Sequence, residues 1–122
     1  MTNTSLTDFI QLARGRRAIR RYTDEPVPPE LLDLLLETAT WSPSAHNRQP
    51  WRFAVMEAPT SKAKLARAMG QRLRADRTAD GDPPDAIERD VARSFARITG
   101  AAALVVVCLS MADMDSYPDA RR

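Results

Sequence analysis

Leu6, Phe9, Ile10 and Ala13 recur at i, i+3, i+4 and i+7, which predicts a first amphipathic helix. Gly15 weakens its continuation into Arg16-Arg17-Ala18-Ile19-Arg20-Arg21-Tyr22. Residues 23–29 hold three prolines and read as a loop, with Pro29 suited to the first turn of a second helix. That helix, over 30–40, carries Leu31, Leu32, Leu34, Leu35, Leu36 and Ala39 around most of its circumference, so burial on more than one side is expected. Periodicity stops over 41–50, and Trp51-Arg52-Phe53-Ala54-Val55-Met56 reads as a short strand. Ser61 is the expected cap of a third helix with Leu65, Met69 and Leu73 on its apolar face. Residues 76–84 read as a polar loop, and Asp85 with Glu88 as an acidic capping pattern. Ile87, Val91, Phe95 and Ile98 predict a fourth helix ending at Gly100. Residues 101–109 predict a strand buried on both faces, and the last dozen residues are polar and mixed.

Helix, helix, strand, helix, helix, strand is an α+β or α/β order, with the sheet pairing open at this level. Two strands alone make a marginal sheet. A partner chain or further chain is therefore expected to complete it. At 122 residues and 43% hydrophobic, the chain is expected to be one globular domain, 1–122. The apolar run 101–109 is far short of the roughly 20 residues of a membrane span. The N-terminal MTNTSLTDF lacks the layout of a signal peptide. One cysteine, Cys108, excludes an internal disulfide framework, and one histidine, His46, argues against zinc. A soluble, cytoplasmic protein without a metal or membrane association is the expectation.

The net charge of +2 is too small for broad attraction to nucleic acid, but Lys62 and Lys64 are the only lysines, so the positive charge is almost entirely arginine. Guanidinium groups suit two-bond recognition of phosphate and carboxylate. The arginine run could place two of them on one phosphate, or could be a solvated basic surface following a helix. The loop Pro43-Ser44-Ala45-His46-Asn47-Arg48-Gln49-Pro50-Trp51 offers hydroxyl, amide and backbone groups between fixed prolines. It could bind the edge of a planar heterocycle, or its polar groups could satisfy one another. Ser44 and His46 lack an acid placed to orient the imidazole, so a hydrolase triad is not expected. Cys108 reads as an inert buried thiol.

Taken together, the arginine run and the proline-bracketed loop resemble the nitroreductase family of FMN-dependent oxidoreductases. The first resembles the family's Arg-Arg-Ser-x-Arg-x-aromatic element. The second agrees with its Pro-Ser-x-x-Asn-x-Gln-Pro-Trp element at every defined position. The resemblance implies an α+β fold, a mixed sheet flanked by helices, of which this chain holds the first part, truncated on the C-terminal side. It implies a homodimer with FMN at the interface. Arg16, Arg17 and Arg20 would then hold the FMN phosphate and ribityl chain. Ala18, standing where the family usually has serine, would offer only its backbone amide. Pro43, Ser44, Ala45 and Asn47 would line the flavin from the partner subunit, and Arg97, with Ser94 beside it, would face the flavin pyrimidine edge. No catalytic base is implied. The implied activity passes a hydride from NAD(P)H through flavin to an electron-poor small molecule such as a nitroaromatic or quinone. A phosphate- or nucleotide-binding module, or an inactive fragment, is the alternative from a different class.

Overall fold

The computed structural model describes residues 5–112, so the polar tail beyond Ala112 lies outside the described residues. The order is α1 (Leu6–Gly15), α2 (Pro29–Thr40), a single 3₁₀ turn (Ala45–Asn47), β1 (Trp51–Met56), α3 (Pro59–Ala79), α4 (Pro84–Gly100) and β2 (Leu104–Leu109). The fold is α+β.

A capping box opens α1: the Asp8 amide donates to Ser5 Oγ, and the Ser5 amide to Asp8 Oδ2. Pro29 occupies the first turn of α2 as expected. The helix places no residue in the core, however, and Leu34 and Leu35 are more than half exposed. The expectation that α2 is buried on several sides is therefore not met by contacts among the described residues. The apolar circumference is present, but nothing described covers it.

The described core lies between α3 and α4. Ala66, Ile87, Val91 and Ala101 are its buried apolar side chains. The helices approach closely because Gly70 faces Val91: a Cβ at Gly70 would stand 3.1 Å from Val91 Cγ1. This close approach also corrects the expected stripe on α3. The buried positions are Lys62, Ala66 and Gly70, whereas Met69 is half exposed and Leu65 half-buried. A narrow helix–helix gap selects small residues over large ones. On α4, Ile87 and Val91 are buried and Phe95 and Ile98 half-buried, as the periodicity predicts.

Two capping expectations fail for one reason: proline at N1 has already set each helix start. α3 begins at Pro59 after Ala58, so Ser61 lies inside the first turn. α4 begins at Pro84 after Pro83, and Glu88 pairs with Arg74 rather than with its own helix end. Residues 76–79, expected in a loop, continue α3. The helix then stops at Gly81, whose φ of 80° lies in the left-handed region. The Gly81 amide donates to Thr78 O and the Asp82 amide to Arg77 O, the double bond pattern that closes a helix at glycine.

β1 and β2 pair antiparallel, from Trp51 opposite Leu109 to Met56 opposite Leu104. Directly paired residues share a face, so Trp51, Phe53, Val55, Val105, Val107 and Leu109 form one wholly apolar face. Val107 and Leu109 on it are about two thirds exposed. The strand expected over 101–109 with both faces buried is thus a strand over 104–109 with one face uncovered among the described residues. Residues 101–103 form the turn that leads into it.

Candidate functional site

Beyond the C-cap Arg16, the arginine run is not helical. It leaves α1 and brings Arg20 and Arg21 beside the flank of the α3–α4 pair. There they line a cleft of ≈ 630 Å³ together with Asp90, Arg93, Ser94 and Arg97. The four α4 residues follow i, i+3, i+4, i+7 and so project from one helical face. Asp90 accepts from both Arg93 and Arg77, and these bonds, that from Arg93 first, hold its carboxyl below the usual carboxylate range. Arg93 is therefore anchored. Arg20, Arg21 and Arg97 make no hydrogen bond or ion pair among the described residues. Three uncommitted guanidinium groups and a hydroxyl around one concavity suit a doubly charged anion such as a phosphate ester.

The other expected arginines behave differently. Arg17 folds back, its Nη1 donating to Arg14 O at 2.6 Å and to Arg16 O at 2.9 Å, so its cation serves the C-terminal end of α1. Arg16 and Ala18 are exposed beside it and do not line the cleft.

The loop after α2 forms a separate surface and contributes nothing to the lining of the arginine cleft. Its course is unusual: His46, Asn47 and Gln49 have φ of 52°, 51° and 50°. Left-handed backbone costs a non-glycine residue roughly 1–2 kcal/mol, least for Asn and His. Local bonds hold it there. Asn47 N donates to Ser44 O, Arg48 N to Ala45 O, and Gln49 N to Ser44 Oγ at 3.0 Å. Ser110 N donates to Pro50 O at 2.7 Å and ties the loop's exit to the end of β2. Ser44 Oγ is used as an acceptor, which leaves its proton for an outside partner. Pro43, Ala45 and Asn47 are exposed, and Ser44 is half-buried.

Three residues escape the motif reading. Arg21 and Arg93 line the cleft beside Arg20 and Arg97. Arg93 carried a legible signal, its i, i+4 spacing from Arg97 on an amphipathic helix. Lys62, the third, is 6% exposed, and its charge gives no sequence cue to burial.

The nitroreductase family model matches residues 13–122, nearly the whole chain and both motifs. The chain belongs to the nitroreductase family. Over 60 residues it is 45% identical to a Bacillus subtilis protein named as the NAD(P)H nitroreductase YdgI; these residues are 48% of this chain and 29% of that protein. Over 56 residues it is 51% identical to a Thermus thermophilus protein named NADH dehydrogenase, 46% of this chain and 27% of that one. Among solved structures, this nitroreductase-family fold is similar to iodotyrosine deiodinase bound to FMN and 3-iodo-L-tyrosine. The TM-score is 0.61 and the identity 26%, over 80% of this chain and 54% of the deiodinase chain. The matched stretches thus span under a third of the two relatives and about half of the deiodinase. Among the described residues no helix is long and apolar enough to cross a membrane, and no group of His, Cys, Asp or Glu is arranged to hold a metal.

Proposed function

We propose that this chain forms the FMN-holding part of an NAD(P)H-dependent flavin oxidoreductase that reduces an electron-poor small molecule such as a nitroaromatic or quinone. The observation that carries it is the convergence of Arg20, Arg21 and Arg97, all unpaired among the described residues, around one cleft with Ser94. FMN, when bound, would supply the hydride chemistry between the nicotinamide and the acceptor. The chain's own residues bind and orient. Arg20 and Arg21, which line the cleft, would hold the phosphate. Arg16, Arg17 and Ala18 stand outside the cleft lining and are assigned no contact with the phosphate there. Arg97 presents a cation where negative charge develops on the ring, and Ser94 offers a hydroxyl beside it. Pro43, Ser44, Ala45 and Asn47 line the flavin held by a partner copy. No side chain is assigned as a catalytic acid or base.

This reading makes the protein a homodimer, in which the exposed faces of α1 and α2 and the apolar face of the sheet are covered by a partner copy and by further strands of the same domain. The exposed large apolar side chains on α1, α2 and the sheet support such coverage. The exposed, free Cys108 is in keeping with a reducing cytoplasm.

The test is the visible spectrum of the protein after incubation with FMN and gel filtration. Retained flavin at dimer size is expected, and Arg20→Ala is expected to weaken FMN binding about 10- to 100-fold, the range of a lost charge-assisted bond. A folded protein that binds inorganic phosphate but retains no flavin would point to a phosphate-binding module instead.

A further inference from the structure

Lys62 is the one buried charged side chain among the described residues. Its Nζ donates to Ala101 O at 2.5 Å and to Ala102 O at 3.3 Å, across the interior from α3 to the turn after α4. Burying an ammonium is costly unless it is well bonded. Lys62 also sits in the first turn of α3, where that helix's own dipole disfavours a cation. A packing role alone would be served at lower cost by methionine. What the charge gains is the carbonyl end of α4, where a cation is favoured and backbone acceptors lack helical partners.

The pinned turn adjoins both segments that supply arginines to the cleft, though it does not itself line that cleft. On one side it follows directly from the last turn of α4, which carries Arg97. On the other, Ala101, Ala102 and Ala103 share a second cleft, of ≈ 570 Å³, with Ile19, Arg21 and Tyr22. We infer that Lys62 is a positioning residue: by clamping residues 101 and 102 it fixes Arg97 relative to the segment bearing Arg20 and Arg21. The proposal rests on the flavin reading of that cleft and extends it to a residue that touches no flavin.

The test is a double-mutant cycle on the full chain, read by FMN titration, with Lys62→Met, Arg97→Ala and the double variant, alongside far-UV circular dichroism. Lys62→Met is expected to keep its helical spectrum and to bind FMN about tenfold more weakly. Arg97→Ala is expected to cost tenfold or more in the parent and under twofold in the Lys62→Met background, since a displaced Arg97 has little left to lose. Additive losses, or FMN affinity within twofold of the parent in a folded Lys62→Met protein, overturn the proposal. Should Lys62→Met fail to fold, Lys62→Gln, which keeps a donor, replaces it in the same cycle under the same criterion. If the parent itself retains no FMN, the flavin reading fails, and hydrogen exchange over residues 94–103 decides for Lys62. Lost protection confined to that stretch in the variant supports the clamp, and unchanged protection overturns it.

Discussion

The two halves of the chain solve opposite problems. Residues 59–100 fold against themselves: α3 and α4 bury Ala66, Ile87 and Val91, meet closely at Gly70, and are laced by Arg74–Glu88 and Arg77–Asp90. Residues 5–50 bury nothing, although α1 and α2 are at least as apolar. Yet this half carries most of the recognition chemistry, the arginine run and the strained loop. The difference separates a self-sufficient scaffold from a segment whose apolar faces fit surfaces outside the described residues. A site built that way depends on assembly, because Arg97 and Ser94 sit on the packed α4 while the arginine run and the Ser44 loop sit on elements that the local core does not hold.

Breaking the scaffold should have the largest effect. Ile87→Ala removes a buried branched side chain and is expected to destabilise the fold by about 2–5 kcal/mol in denaturant titration. The matching change on the other half, Leu34→Glu on α2, is expected to leave the helical spectrum intact. On the proposed homodimer, it moves the protein from dimer to monomer on gel filtration, and an unshifted dimer would remove α2 from the interface. Gly81→Ala is next. It forces a side chain into the left-handed helix stop and is expected to cost about 1–2 kcal/mol in thermal or chemical unfolding, with FMN binding unchanged.

The smallest effect separates the halves by pH. Hydrogen bonding from Arg74 holds the Glu88 carboxyl below its ordinary value, and that from Arg93, then Arg77, does the same for Asp90. A depressed carboxylate contributes its stabilisation fully above its unfolded-state value and loses it as pH falls through the folded-state value. The hairpin should therefore hold its stability down to about pH 4 and weaken below it. Glu88→Gln should flatten that acid limb and lower stability slightly at neutral pH. As these groups are exposed, added salt should shrink the difference. An unchanged acid limb in Glu88→Gln would mean that this pair does not couple the helices.

Much was legible in the residues themselves because local physics fixed it. Apolar spacing placed all four helices, Pro29 marked the start of α2, and branched and aromatic runs marked β1 and β2. The proline starts of α3 and α4 are not anticipated, Ser61 and Asp85 being the expected caps instead. The two motifs were also local, which is why the candidate arginines and the Ser44 loop could be named from spacing and family resemblance. The continuation of α3 to residue 79 is not legible in the residues, because Gly81 stops the helix through its backbone conformation, which a polar stretch does not reveal. Burial was the least legible property. Leu34 and Val107 read as core and are exposed here, while Lys62 reads as surface and lies inside. Burial depends on which faces meet, and chain composition does not encode the meeting.

The sequence by itself determined which segments form helices and strands and which residues carry groups suited to an anion, since both follow from short-range sterics, periodicity and side-chain chemistry. Only the tertiary structure decided that Arg20, Arg21 and Arg97 border one cleft, and that a buried lysine bonds the turn after α4. Those outcomes rest on contacts between residues far apart in the chain. Such contacts form only once the α3–α4 packing has fixed the helix faces in space.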